Sequence, residues 1–253
     1  EGVDNEAPGF GDLTGDGRPE LYFHTNGRFG WAGPAEGLPE QPWTFHALSE
    51  DLGLSNFIHG LGIGDLNGDD RPDLLEKNGW WRQPAVSEEG LIWQHYPIPF
   101  SAGRRGGAQM LTLDVDGDGD TDVITSLNGH GWGLSWFEQV QRFGAIEFHE
   151  HRIMDSRPDH NRHGVAFSQL HALALADMNG DGLADIVTGK RHWAHGPEVD
   201  PGAQDPAVIY WFELVRGSGG AEFVPHQIDD DTGVGVQVVA QGEQLGQQLQ
   251  HLG

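Results

Sequence analysis

The sequence predicts an all-β protein, a β-propeller of four-stranded antiparallel blades, and three observations carry that prediction. One aspartate-rich, nine-residue pattern occurs four times, starting at Asp12, Asp65, Asp114 and Asp177. Glycine (39 residues) and proline (14) are spread along the whole 253-residue chain, as turns between many short strands require. Each copy of the pattern is flanked by short apolar or alternating stretches bounded by turn residues, with no helical periodicity.

The strands follow in order within each repeat. Leu61-Gly-Ile63, Leu111-Thr-Leu113 and Leu173-Ala-Leu175 lead into the pattern, and Leu21-Tyr-Phe23, Leu74-Leu75, Val123-Ile124 and Ile186-Val187 lead out of it. A third strand is expected at Trp136-Phe-Glu138 and Trp211-Phe-Glu213. A fourth is expected around Trp43–His46, Trp93–His95, Glu147–His149 and Glu222–Val224. The copies start 53, 49 and 63 residues apart. Propeller blades commonly repeat at about 40–50 residues, and the loops Arg157–His163 and Ala194–Pro206 account for the longer units. The blades then occupy residues 1–240. Gly233–Ala240 reads as the opening strand of a partial or degenerate fifth blade, and 241–253 form a Gln-rich tail. Trp136 and Trp211 are expected to pack between blades.

Composition narrows the function classes. A net charge of −25, from 39 acids against 14 lysines and arginines, repels nucleic acid and anionic lipid, so neither is an expected partner. No apolar run approaches 18 residues, which argues against insertion of a helix into a membrane. The absence of cysteine excludes disulfides and thiolate metal sites. Nine tryptophans argue for a packed core. The chain starts at Glu1 without a signal segment or initiator Met and reads as a mature form or a fragment.

The repeated pattern carries the most chemistry. Its copies are Asp12-Leu-Thr14-Gly-Asp16-Gly-Arg18-Pro-Glu20, Asp65-Leu-Asn67-Gly-Asp69-Asp70-Arg71-Pro-Asp73, Asp114-Val-Asp116-Gly-Asp118-Gly-Asp120-Thr-Asp122 and Asp177-Met-Asn179-Gly-Asp181-Gly-Leu183-Ala-Asp185. Calcium takes six to eight oxygens, and alternate positions of such a loop supply them. Side chains at positions one, three, five and nine are the expected ligands, with Arg18, Arg71, Asp120 and Leu183 offering backbone carbonyls at position seven. The glycine at position four permits the tight turn. An EF-hand is excluded, because position twelve is Phe23, Glu76, Thr125 or Thr188 and the flanks are strands. About four calcium ions are therefore expected, tightest in the third loop. Thr14 and Glu20 weaken the first, and Asp70 replaces the usual glycine in the second.

On these four loops, and on the strand-to-loop passages Phe10-Gly11-Asp12 and Ile63-Gly64-Asp65, the chain over residues 7–240 resembles the FG-GAP or VCBS repeat family. That family also forms the head of integrin α-subunits. The resemblance implies calcium in the loops between strands one and two, in a structural role, and the opposite face as the place for a ligand. It also implies an extracellular, periplasmic or cell-surface location.

The opposite face would collect the starts of strand one and the loops between strands two and three. His59 and His171 each lie six residues before the first Asp of a loop. With His130, Arg191, His192 and His195 they are the candidates for acid–base work. Lys77, Asn78, Arg104, Arg105, Lys190 and Trp193 are the candidates for gripping a ligand, cations for carboxylate or sulfate and the indole for a sugar ring. His192 and His195 at i, i+3 could hold zinc. The reading favoured by the scaffold is a binding module for a glycan or a protein. The alternative is a carbohydrate-active enzyme, a polysaccharide lyase or sugar dehydratase, using the same face.

Overall fold

A computed structural model describes residues 2–34, 40–85, 91–103, 105–235 and 237–240. It is all-β, with four antiparallel four-stranded sheets and no α-helix among the described residues. The first sheet is β1 (Gly9–Gly11), β2 (Glu20–Thr25), β3 (Arg28–Gly33) and β4 (Thr44–Ala47). The second is β5 (Leu61–Gly64), β6 (Asp73–Glu76), β7 (Gly79–Arg82) and β8 (Gln94–Pro97). The third is β9 (Leu111–Leu113), β10 (Asp122–Ser126), β11 (Leu134–Arg142) and β12 (Ala145–Met154). The fourth is β13 (Leu173–Ala176), β14 (Asp185–Lys190), β15 (Val208–Gly217) and β16 (Gly220–Asp229). In every sheet the strands pair in chain order.

The sheets pack in chain order too. The first strands touch in sequence, β1 on β5, β5 on β9 and β9 on β13. Three apolar cores fill the spaces between consecutive sheets. Leu13, Tyr22, Phe29 and Leu48 meet Leu61, Leu74 and Trp81 between the first two. Leu66, Leu75, Trp80 and Phe100 meet Met110, Val123, Leu127 and Phe137 between the second and third. Val115, Ile124, Leu134 and Trp136 meet Leu173, Ile186, Phe212 and Leu214 between the third and fourth. Every residue of β6, β10 and β14 is buried, which explains why these second strands read as continuous runs rather than alternating ones.

The outer strand pairs share one device. Trp31 faces His46, Trp81 faces His95, Trp136 faces His151 and Trp211 faces His226 across strands three and four. Ring centroids lie 4.2–4.5 Å apart. Three of these imidazoles also reach a carboxylate of their own sheet: His95 to Glu76, His151 to Glu138 and His226 to Glu213. Trp136 does enter the core between two sheets, as expected.

Among the described residues of 233–240 no strand forms, so the expected opening strand of a fifth blade is not made there. Val234 is buried, and Gly233 packs against the backbone of Lys190 and Arg191. The Gln-rich tail, 241–253, lies outside the described residues.

Candidate functional site

Each strand one has two ends, and both carry polar clusters. At its exit lies the aspartate loop. Glycine at position four adopts positive φ in all four copies, +75°, +72°, +89° and +80° at Gly15, Gly68, Gly117 and Gly180. That reversal lets the first carboxylate accept from several loop N–H groups. Asp12 takes those of Gly15, Asp16 and Gly17, Asp65 takes those of Gly68, Asp69 and Asp70, and Asp177 takes those of Gly180, Asp181 and Gly182.

Position nine ties the loop to the sheet. One oxygen of Asp73, Asp122 and Asp185 accepts the N–H of loop position two, from Leu66, Val115 and Met178 respectively. The other oxygen accepts from strand three or just beyond it, from Gln83, Gln139 and Leu214. Glu20 accepts from Leu13 and Thr14. Burial pushes the Asp73 and Asp122 carboxyls up to about 7 and raises those of Glu20 and Asp185. Residue nine is thus a brace first, with lone pairs left over for a cation.

The loops differ as cation cages. Asp12, Asp16 and Glu20 in the first loop, and Asp114, Asp116 and Asp122 in the third, each bring oxygens within 4.8 Å of one another. In the second, Arg71 binds the Asp69 carboxylate and Arg82 stands 3.7 Å from it. Both side-chain polar atoms of Asn67 there are buried without a protein partner, as is Oδ1 of Asp120 in the third loop. Such orphaned oxygens suit a hard cation.

At the other end of strand one, three imidazoles meet. His59 and His171 each stand two residues before β5 and β13, and His130 lies in the β10–β11 loop. The Nε2 atoms of His59 and His171 are 3.2 Å apart, and those of His171 and His130 are 3.1 Å apart. Glu6, just before β1, places Oε2 3.3 Å from Nε2 of His59. All four ligand atoms lie within 4.8 Å of one another. His59 and His171 are buried. Gly129 allows the approach, since a Cβ there would stand 3.1 Å from the His59 ring.

Tautomers sharpen the geometry. Nδ1 of His59 lies 2.9 Å from the Phe57 carbonyl, which can only accept, so Nδ1 carries the proton and Nε2 is a bare lone pair. Burial holds the His59 and His130 pKa values below the usual imidazole range and, with the nearby His59 and Arg191 charges, lowers His171 to about 3. The rings are neutral at pH 7. Nε2 of His171 then either carries a proton or does not. With a proton it can serve His59 but not accept from His130; without one it meets His59 lone pair to lone pair. A His171 N–H shared between both neighbours still leaves the Glu6 carboxylate 3.3 Å from the bare Nε2 of His59, two acceptors face to face.

A carboxylate stands behind His130. Asp200 Oδ1 lies 3.6 Å from its Nδ1, and Asp200 also takes the Nδ1 of His195 at 3.0 Å. The long loop between β14 and β15 therefore closes over this end of the site.

The structure sorts the other expected site residues. His192 is exposed and packs at a tilt against Trp193 rather than joining His195, so the expected His192–His195 pair is replaced by His195 with Asp200 and His130. Lys190 is fully buried, with Nζ donating to the carbonyls of Arg191, His192 and Asp205, and it offers no donor to a ligand. Asn78 bonds Glu76 within its own turn. The Lys77 stem lies against Gly60 and Gly106 next to His59, and Arg105 and Arg191 are within electrostatic reach of that ring. Trp193 is exposed, and Arg104 lies outside the described residues.

Sequence reasoning missed Glu6 and Asp200. Glu6 stands six residues before Asp12, the offset of His59 from Asp65 and of His171 from Asp177, so the repeat register could have found it. Asp200 carries no such signal, because its loop belongs to one repeat only.

No family model matches the chain, and no curated protein matches it. Among solved structures, the biofilm matrix protein Bap1 of V. cholerae is similar at 18% identity and a TM-score of 0.39, over 82% of this chain. The Photorhabdus luminescens Tc holotoxin pore is similar at 15% identity and a TM-score of 0.37, over 88% of this chain. The chain spans 26% and 9% of the lengths of those two proteins.

Proposed function

We propose that this chain is a calcium-braced β-propeller module of the FG-GAP or VCBS type whose working site is a transition-metal centre formed by His59, His130, His171 and Glu6. The observation that carries the reading is the convergence of three Nε2 atoms and the Glu6 carboxylate, which faces the lone pair of a neutral His59 at 3.3 Å. One shared cation satisfies all of them. Tetrahedral coordination at the usual zinc distances places ligand atoms about 3.3 Å apart, against 3.1, 3.2 and 3.3 Å for the three contacting pairs here and up to 4.8 Å for the rest. Neutral imidazoles with a carboxylate suit zinc or a neighbouring late divalent metal.

Three histidines leave the fourth position to Glu6, whose side chain is 30% exposed and can yield to an incoming ligand. Such an ion, when bound, acts as a Lewis acid toward a ligand oxygen. The protein's part is orientation. Phe57 fixes the His59 tautomer, Asp200 sits behind His130, and His195 stands at the solvent side as a proton carrier. This favours the enzymatic alternative, metal-assisted chemistry on a polar ligand such as a glycan, over passive display. The exposed Trp193, tilted against His192, supports a sugar-binding role beside the centre.

The aspartate loops serve as calcium braces in this reading. Their first and third copies fit the ion best, and Arg71 on Asp69 competes with it in the second. Millimolar calcium outside the cytoplasm would keep them loaded, consistent with an extracellular, periplasmic or surface location.

Metal analysis tests the centre directly. Protein equilibrated with calcium and a slight excess of zinc, then desalted, should carry one tightly held zinc. His59→Asn and His171→Asn should each lose it while calcium content stays constant. Zinc retained in both variants would refute the assignment.

A further inference from the structure

The charges around the imidazoles are arranged differently from those elsewhere on this acidic chain. Eight arginines, at 28, 71, 82, 142, 152, 157, 162 and 216, have a carboxylate within 4.0 Å. Among the described residues Lys77, Arg105 and Arg191 have none, nor do Arg18 of the first aspartate loop and Lys190, whose ammonium is held by three carbonyls. The Arg105 and Arg191 charges act on His59, and that of Arg191 also on His171.

Their placement follows from the backbone. The Arg105 carbonyl accepts the His59 N–H at 2.6 Å, which fixes that segment against the histidine. Lys77 follows β6, whose Glu76 pairs with Leu61, so its stem lies against Gly60 and Gly106 beside His59. Continuing the β13–β14 register from Leu173 opposite Thr188 brings His171 opposite Lys190, with Arg191 next along the strand. The Nε of Arg191 is buried and has no hydrogen-bond partner. Among the described residues of this acidic chain, no carboxylate reaches these three cations. Adding a divalent ion beside Glu6 makes the local charge more positive still.

We propose that the ligand of this centre is an oxyanion, bound with one oxygen on the metal and the others on Arg191, Lys77 and Arg105. The inference rests on the metal reading above and names its ligand class. A guanidinium with a free edge grips carboxylate or sulfate in two parallel hydrogen bonds, whereas a neutral hydroxyl offers it much less. The same cations disfavour binding of a second metal ion or a cationic ligand. Arg191 orients the anion, and Lys77 and Arg105 supply charge from the sheet-two and sheet-three sides.

Cobalt replaces zinc and reports its own ligands by visible absorption, so the cobalt-loaded, calcium-saturated protein is the one to titrate. Glucuronate should perturb the cobalt spectrum saturably, and glucose at equal concentration should not. Sulfate acting as well would make the oxyanion itself the determinant, and glucuronate acting alone would narrow it to carboxylates. Arg191→Gln should weaken glucuronate at least tenfold while the cobalt spectrum without ligand stays the same. Arg191→Lys, a smaller perturbation of the fold, should recover only part of that loss.

A cobalt spectrum indifferent to every oxyanion would overturn the proposal and leave the metal centre standing. Equal glucuronate affinity in wild type, Arg191→Gln and Lys77→Gln would overturn it too. If cobalt does not bind, the metal reading fails. Calorimetry of glucuronate with metal-free protein then decides the anion alone: heat lost in Arg191→Gln supports an oxyanion site, and no heat in the wild type removes it.

Discussion

The two ends of strand one solve different problems with the same repeat. At the exit end, all four sheets carry the same loop, and its position-nine carboxylate is braced within its own sheet, as Asp73 with Gln83 or Asp122 with Gln139. A neighbour adds contacts, such as Arg216 on Asp114 and Val115. At the starting end the equivalent positions are Glu6, His59, Ala108 and His171, no two neighbouring sheets alike. The exit end is a local device copied four times. The starting end is a single site assembled across sheets. Repetition therefore marks what holds each sheet, and departure from repetition marks what the sheets do together.

If that division is right, a change at the exit end costs stability and one at the starting end costs metal. Asp122→Ala should destabilise by about 2–4 kcal/mol, because the buried N–H groups of Val115 and Gln139 both lose their acceptor. Chemical denaturation should show a lower midpoint at unchanged slope. A loss below about 0.5 kcal/mol would make the brace dispensable and erase the contrast.

His130→Asn is the mirror experiment. The ring is only partly buried and leaves the apolar cores untouched, so the denaturation midpoint should hardly move. Zinc affinity should fall about 100-fold or more, since losing even an outer-shell partner costs 10- to 100-fold. Competition with a chromogenic chelator measures it. A large stability loss with zinc retained would reverse the assignment of the two ends.

The loops also differ from the imidazoles in their response to pH. Without calcium, Asp73 and Asp122 hold protons up to about pH 7 in the folded protein, whereas an unfolded aspartate releases its proton near pH 4. The folded state binds more protons across that window. Stability is then highest below pH 4 as far as these groups go and is lost as pH rises through 7. Melting in a calcium chelator should show that fall between pH 5 and 8, and Asp122→Asn should flatten part of it. Calcium, which displaces the protons, should stabilise more at pH 8 than at pH 5. An apo protein whose melting temperature climbs over this range would contradict the burial of both carboxyls.

How much of this could be read from the sequence follows from the same contrast. The loops were legible because nine consecutive residues carry the whole device, and the flanking strands were legible because the loops fixed their places. The roles within a loop were less so. Residue nine was readable as a cation ligand, but its second oxygen reaches strand three, ten residues on at Gln83 and seventeen at Gln139, and no local pattern reports that. The imidazole site was half legible. His59, His130 and His171 could be placed on one face by register, while their meeting at 3.1–3.2 Å depends on how three sheets pack. Lys190 misled for the opposite reason. A lysine ending a strand beside Arg191 and His192 looks like surface chemistry, but its ammonium is fully occupied by three backbone carbonyls. Position two of the loops shows packing overriding pattern again. Leu13, Leu66 and Val115 are buried by the following sheet, while Met178 of the last sheet is 42% exposed, with no further sheet among the described residues to cover it.

The smallest expected effect sharpens the comparison within the loops themselves. Position six is Gly17, Gly119 or Gly182 in three copies, all at positive φ, and Asp70 in the second copy adopts the same conformation at +63°. An L-residue is strained there, and Asp is among the few that tolerate it. The Asp70 N–H still donates to Asp65, so the turn is intact and only the side chain opposes it. Asp70→Gly should therefore stabilise by about 0.5–1 kcal/mol, the relief of strain being partly offset by the greater freedom of unfolded glycine. It should also remove one negative charge next to a loop whose Asp69 is engaged by Arg71. If the substitution instead destabilises, Asp70 is contributing an interaction of its own, and the second loop departs from the other three by function rather than by tolerated strain.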